Sequence, residues 1–274
     1  MFDYKVKPEE YDEEYFLGED YGGIEFYNSG VKKPCPSSDR IFSLIKRANE
    51  GTALDAGCGK GEMLYFLSKK GFDVYGIDYS QDAIALAKKT LKEKKVNAWV
   101  GKSDVRKTSF DDNFFDVVVS TDLVEHLDDD DAVVDFLNEM HRVLKPGGVF
   151  YMHTAPNKLY VDFFQRLYRR QVDLVLSGLA NLFLSPKNKI KIKTEFRDHN
   201  DKKFHINEQT YFSMRNNLSR SKFSDYKIEM FADPFRFEIK KLPYYLIGYL
   251  FPLNKIFPLS ILLGNHIYCV LKKR

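Results

Sequence analysis

Residues 54–61 read Leu-Asp-Ala-Gly-Cys-Gly-Lys-Gly. Alternating glycines after an apolar run permit positive φ and bring backbone N–H groups close to a ligand. Asp78 follows about 20 residues on, at the end of a second apolar run, where a carboxylate can accept both hydroxyls of a ribose. Glycine loop and acid together describe a nucleotide-type site.

The charge around the loop selects the kind of nucleotide. A pyrophosphate needs positive potential at a free helix N-terminus. Here Asp55 precedes the glycines and Glu62 follows them. Two carboxylates repel phosphate and attract a sulfonium or an ammonium, while the long side chain of Lys60 can point to solvent. The Gly-x-x-x-x-Gly-Lys-Ser/Thr spacing of phosphate loops is absent.

These residues need a scaffold of alternating strands and helices. Thr52–Ala56, Asp73–Ile77, Asn97–Val100, Phe115–Ser120 and Val149–His153 read as strands. The unbroken Val117-Val118-Val119 marks burial on both sheet faces. Between them lie helical patterns: Met63–Lys70, a helix capped by Ser80 with Ile84, Ala85, Ala87 and Leu91 inward, and Asp129–Leu144. Lys145-Pro146-Gly147-Gly148 ends the last. Ser37 or Ser38 caps an earlier helix, and Asn207 one that runs to about Ser219. Tyr226–Phe231 and His266–Leu271 alternate as strands of a closing hairpin. The predicted fold is α/β: a Rossmann-like, doubly wound, seven-stranded and mostly parallel sheet with a C-terminal antiparallel hairpin.

The domain plan follows. Residues 1–36 form an N-terminal arm and 37–274 one domain. A helical cap is inserted at 156–204 and an apolar segment at 233–264. Pro243, Pro252, Pro258 and Asn254-Lys255 interrupt the apolar run, which argues against a membrane span. A pocket wall or an interfacial hairpin are the two roles open to it.

Composition bounds the rest. The chain has 274 residues, with 23 Phe and 17 Tyr, which excludes a disordered chain. Cys35, Cys58 and Cys269 form no Cys-x-x-Cys pair, which excludes a disulfide scaffold and a thiolate zinc site. The acidic, polar start is not a signal peptide, so a cytoplasmic location is expected. Residues 1–30 carry nine acids against two lysines, and 155–203 carry eleven Lys/Arg against five acids. Such blocks suit solvated surfaces, or a basic face toward an anionic substrate or membrane. The net charge of +3 gives no reason to expect DNA, and RNA-reading aromatic or Arg-Gly motifs are absent.

Five segments in order now support a resemblance. Leu54–Gly61, Asp78, Ser103-Asp104-Val105, Phe115–Ser120 with Asp122–Leu127, and Leu144–Gly148 are similar to the motifs of class I S-adenosylmethionine-dependent methyltransferases. The likeness covers about residues 40–272. It implies S-adenosylmethionine as cofactor, held by Asp55, Gly57, Gly59, Gly61, Asp78, Tyr79, Asp104, Val105 and Ser120. Asp78 would hold the ribose, and Asp104 would lie near the adenine amino group.

On the acceptor side, Asp122, Glu125, His126 and His153 stand at strand ends, and His205 can arrive from the cap. His126 and His153 are the candidate catalytic groups, since a hydroxyl acceptor must lose a proton. Base N-methylation is disfavoured because Ser120-Thr121-Asp122-Leu123 stands where nucleobase enzymes carry Asn/Asp-Pro-Pro-Tyr. Asp122, Glu125 and His126, with His205 or His199 as a later ligand, are also a candidate Mg²⁺ or Mn²⁺ set, similar to that of ubiquinone-pathway and small-RNA O-methyltransferases, which carry Glu where this chain has Asp122. Alternatively, Glu125 and His126 only shape the pocket floor. The expected acceptor is a hydroxyl on a glycan or lipid-linked small molecule, with peripheral membrane contact. An isoprenoid quinone, an RNA 2′-hydroxyl or an inactive binding scaffold are the alternatives.

Overall fold

The structure is a computed structural model and describes residues 4–17, 36–46, 50–162, 203–231, 260–261 and 264–274. The strands are β1 (Thr52–Ala56), β2 (Asp73–Asp78), β3 (Ala98–Lys102), β4 (Phe115–Thr121), β5 (Leu144–Thr154), β6 (Asp225–Phe231) and β7 (His266–Lys272). The helices are α1 (Glu13–Leu17), α2 (Pro36–Leu44), α3 (Glu62–Lys69), α4 (Gln81–Glu93), α5 (Asp130–Val143) and α6 (Tyr211–Arg220).

They build one seven-stranded sheet in the order β3-β2-β1-β4-β5-β7-β6. Strands β1 to β5 are mutually parallel, and β7 runs antiparallel to both β5 and β6. The predicted fold and its closing hairpin are therefore present. Side chains alternate across the sheet with period two. Leu54, Ala56, Val118, Phe150 and Met152 pack with α5 and α6 on one face. Ala53, Val74, Val100 and Val119 pack with α2, α3 and α4 on the other. Strand order reverses between β1 and β4, and ligands of such sheets sit outside the carboxyl ends at that point.

Local chemistry fixes the helix starts. Ser80 Oγ accepts from the Ala83 amide (3.2 Å), and Asp129 Oδ1 from that of Ala132 (2.9 Å). The last helix starts later than expected. Thr210, not Asn207, is its cap, because Thr210 and Ser213 exchange side-chain and backbone bonds at 2.9 Å. Asn207 instead accepts from the Gln209 amide group. The Lys145–Gly148 segment belongs to β5, which begins at Leu144 and shifts register against β4 between Phe115 and Val117. Pairing across β7 holds it, through Gly147 N to Lys273 O (2.8 Å) and Lys273 N to Gly148 O (3.1 Å).

Most of the expected cap (163–202) and of the apolar segment (233–259 and 262–263) lies outside the described residues, as do Cys35 and residues 18–34 of the arm. No helix among the described residues is long and apolar enough to cross a membrane.

Candidate active site

Strand β1 ends in the glycine loop. Gly57 (φ 81°), Gly59 (φ 46°) and Gly61 (φ 83°) all take left-handed backbone conformations. The amides of Gly57 and Cys58 both donate to the Ile77 carbonyl at 2.9 Å, which ties the loop to the end of β2. A Cβ on Gly57 would stand 2.9 Å from Leu123 Cδ1. Gly61 serves packing instead: it precedes α3, and its Cβ would meet Ala87 of α4 at 3.2 Å.

Asp78 closes the loop. Its Oδ2 accepts from the Gly59 amide (3.0 Å) and its Oδ1 from the Ser80 amide (2.9 Å). A carboxylate has about four lone-pair sites, so these amides leave it acceptor capacity for a ligand. The residue is only 7% exposed. Burial raises its pKa from 3.8 to about 6, against the lowering effect of the bonds from Ser80, Gly59 and Tyr79.

Asp55 is buried beside it. Its Oδ1 has no hydrogen-bond partner among the described residues. Burial first, then the charges of Asp78 and Glu62, push its carboxyl well above the ordinary range. Asp55, Gly57, Gly59, Glu62, Asp78 and Tyr79 line one cleft. An adjoining hollow shares Gly57, Asp78, Tyr79, Leu123 and His126 with it and is completed by Asp104, Val105 and Arg106. The cleft's lining mixes the carboxylates of Asp55, Glu62, Asp78 and Asp122 with Lys60 and the rings of Tyr11, Tyr15, Phe16 and Tyr79.

Two expected ligand residues are otherwise engaged. Ser120 is fully buried and donates to the Ala56 carbonyl (2.8 Å), so it staples β4 to β1 and does not reach the cleft. Asp104 lines the hollow, but Arg106 occupies its carboxylate through the amide (2.7 Å), Nε (3.1 Å) and Nη2 (2.8 Å). Tyr4 donates to the same group at 2.6 Å. Burial would raise the Asp104 pKa, but the bonds from Arg106 and Tyr4 bring it below the ordinary value. Arg106 also reaches Asp128 at 3.2 Å. The Asp104 acceptor sites are thus filled by the protein.

The N-terminal arm was not foreseen as part of the site. Val6, Tyr11 and Tyr15 bury themselves with Phe204, against Phe16, Tyr79 and Ile206. The Tyr11 and Tyr79 rings lie 5.2 Å apart, and Ser80 Oγ donates to the Tyr11 carbonyl at 2.6 Å. The signal was the aromatic cluster Tyr11, Tyr15 and Phe16 in an otherwise acidic arm. Arg106 carried no comparable signal.

Beyond β4, Asp122 takes a left-handed conformation (φ 53°) and lines the cleft. His153 is 0% exposed and lies behind Asp122, not in the cleft. His126 sits at the junction of the two hollows. Burial and the neighbouring His205 lower its pKa to about 3. Glu125 is buried and accepts from the Thr154 hydroxyl at 2.7 Å. Burial, with Asp122 nearby, pushes its carboxyl well above the usual range.

The expected metal set is only partly gathered. Ligand atoms of Glu125, His126 and His205 lie within 4.8 Å of one another, and Asp122 is not in the group. Mg²⁺ demands about six oxygens. This group offers one carboxylate and two imidazoles, so the residues present do not fit Mg²⁺.

A family model described as a methyltransferase domain matches residues 54–152, which span β1 to β5. Residues 54–152 thus form a methyltransferase domain, similar to those of the class I S-adenosylmethionine-dependent superfamily. It is 34% identical over 137 residues to the 2-phytyl-1,4-naphtoquinone methyltransferase of Nostoc punctiforme, covering 46% of this chain and 56% of that one. It is 30% identical over 101 residues to the ubiquinone biosynthesis O-methyltransferase of Coxiella burnetii, covering 37% and 42%. The matches thus span about half the length of these curated relatives. Among solved structures, the PH0226 protein of Pyrococcus horikoshii matches this methyltransferase fold with a TM-score of 0.57 at 18% identity, covering 100% of both chains.

The residues of the cleft fit S-adenosylmethionine, the superfamily's methyl donor. The unpartnered Asp55 oxygen and the acidic loop suit its cationic end, and Asp78 keeps acceptor capacity for its ribose hydroxyls.

Proposed function

We propose that this protein transfers a methyl group from S-adenosylmethionine to a hydroxyl of a small-molecule acceptor. The observation that carries the reading is Asp78 bound to the Gly59 and Ser80 amides beside the unpartnered Asp55. Asp78 fixes the ribose, and the glycine loop brings backbone close to the donor. Asp55 and Glu62 supply negative potential for its ammonium and sulfonium. Tyr79, Tyr11 and Val6 wall the cleft and exclude water, which strengthens these electrostatic contacts. When bound, S-adenosylmethionine supplies an electrophilic methyl for in-line displacement, so alignment is the protein's main task.

A hydroxyl acceptor is favoured because Asp122, a carboxylate able to take its proton, opens into the cleft. The likeness to a protein described as a ubiquinone biosynthesis O-methyltransferase supports it. A glycan or lipid-linked acceptor, with peripheral contact to anionic membrane, is the finer form of this reading. It rests on the apolar run 242–264 and its flanking Lys240, Lys241, Lys272, Lys273 and Arg274.

The test is direct. Calorimetry should show binding of S-adenosylmethionine and S-adenosylhomocysteine. Methyl-tritiated donor should then label a catechol, a benzoquinol or a hydroxylated lipid, and not phosphoethanolamine. Labelling of phosphoethanolamine alone would overturn the hydroxyl reading. No binding of the donor would overturn the whole of it.

A further inference from the structure

Three strands bring an acid and two imidazoles into a line. Asp122 Oδ1, just past β4, lies 2.9 Å from His153 Nδ1 on β5. His153 Nε2 lies 2.9 Å from His266 Nδ1 on β7. The two imidazoles stack with centroids 5.1 Å apart and 28° between planes. Tyr268 also packs on His153, at 4.6 Å. The chain of contacts runs from the cleft, where the Asp122 side chain is 42% exposed, through a fully buried histidine to a half-buried one.

The arrangement is specific to register. His153 pairs with Thr121 across β4/β5 and with Tyr268 across β5/β7, which brings Asp122 and His266 to its two nitrogens. The left-handed backbone of Asp122 turns it back over β5, where its amide donates to the His153 carbonyl at 3.2 Å. His153 Nδ1 meets Asp122 as an ion-pair contact and not as an aligned hydrogen bond, while its Nε2 is bonded to His266.

We infer that Asp122 accepts the proton of the acceptor hydroxyl, and that His153 and His266 are positioning residues that hold its carboxylate. This rests on the hydroxyl-methylation reading. In the step, the acceptor oxygen bonds to the methyl carbon and the sulfur–methyl bond breaks. Its electron pair stays on sulfur, which becomes a neutral thioether. The hydroxyl proton passes to Asp122 and from there to solvent through the cleft. His153, with its other nitrogen held by His266, fixes the carboxylate in its rotamer.

The groups facing Asp122 set its charge. His153 and His266 approach from β5 and β7, and Glu125 and His126 from the turn after β4. Burial works against the anion, but His153 first and then His266 and His126 keep the carboxyl below its ordinary range. Removing either partner should therefore raise the pH at which the base is lost.

The experiment uses the full chain with tritiated donor and a catechol or benzoquinol as probe. Asp122→Asn should lower kcat by about 10²-fold or more while donor affinity by calorimetry stays unchanged. His266→Asn, at a half-buried position, should lower kcat less and move the acid limb of the pH profile upward. His153→Gln should move it further. A readout without an acceptor is the imidazole ¹⁵N spectrum, in which Asp122→Asn should shift both His153 and His266. Wild-type turnover with kcat and acid limb unchanged in Asp122→Asn and His266→Asn would overturn the inference alone. Unmoved imidazole signals would do the same. Donor binding without transfer to any hydroxyl probe would overturn the hydroxyl reading and this inference with it.

Discussion

Tyr11 and His126, 115 residues apart, meet at the mouth of the cleft with the phenol oxygen 3.2 Å from Nδ1. The Phe204 carbonyl lies 3.0 Å from the same nitrogen. A carbonyl only accepts, so Nδ1 carries the proton and Nε2 is left to accept from Tyr15 at 3.5 Å. The neutral ring suits its lowered pKa. One imidazole therefore joins the arm to the segment before α6, and Tyr11, Tyr15 and Phe16 of the arm line the cleft proposed for the donor.

The arm should accordingly govern how fast the donor leaves. Tyr11→Phe removes the phenol's hydrogen bonds to His126 and Tyr79, each worth about 0.5–1.5 kcal/mol, and leaves the ring packing with Tyr79 and Phe204. Deleting residues 1–17 removes Tyr4, Tyr11 and Tyr15 together. Stopped-flow dissociation of S-adenosylmethionine should be slightly faster in Tyr11→Phe and much faster in the deletion. Equal off-rates in all three proteins would show that the arm does not close the cleft.

Asp78 gives a pH signature. Its carboxyl is raised from 3.8 to about 6, so the folded, donor-free protein binds this proton more tightly than the unfolded chain. Its contribution to stability is thus present at low pH and lost as pH rises from about 4 through about 6. A ribose hydroxyl donates to the ionised form, so donor binding should strengthen over the same window and level off above it. Calorimetry in two buffers of different ionisation enthalpy at pH 5.5 should find proton release on binding. Asp78→Asn should reduce that release, leaving the share of the raised Asp55 carboxyl, and weaken the donor by about 1–3 kcal/mol.

Much of this was legible in the sequence, for physical reasons. The Gly-x-Gly-x-Gly loop and Asp78 announce themselves because left-handed backbone and a strand-end acid are demanded locally. The five parallel strands show because burial on both faces leaves apolar runs such as Val117-Val118-Val119. The rest depends on partners distant in sequence. Ser120 reads as a ligand residue until its hydroxyl is seen on the Ala56 carbonyl. Asp104 reads as an adenine acceptor until Arg106 and Tyr4 fill it. His153 reads as catalytic, yet the β5/β7 register buries it behind Asp122. No local pattern encodes those pairings.

Chelation tests the donor set around His126. Glu125 is engaged by Thr154, and His126 by Phe204, Tyr11 and Tyr15. One carboxylate with two imidazoles is a poor match for Mg²⁺. EDTA should leave both donor binding and methyl transfer unchanged, and added Mg²⁺ should not raise turnover. Activity lost in EDTA and restored by Mg²⁺ alone would contradict this reading of the site.

Gly57 offers the sharpest separation of binding from stability. At φ 81° an alanine pays roughly 1–2 kcal/mol for its left-handed backbone. Its Cβ would also stand 2.9 Å from Leu123 Cδ1, closer than carbon atoms tolerate. Leu123 lines both hollows of the cleft, so its retreat would reshape the place proposed for the donor. The sheet beneath is untouched, because the Gly57 and Cys58 amides still donate to Ile77. Gly57→Ala should therefore lower the melting temperature modestly but abolish detectable donor binding in calorimetry. Gly147 is the control: it has φ 82° but nothing within 4 Å of its Cβ position, so Gly147→Ala should carry the backbone cost and bind normally. If both variants bind the donor like wild type, the glycine loop is not where S-adenosylmethionine sits.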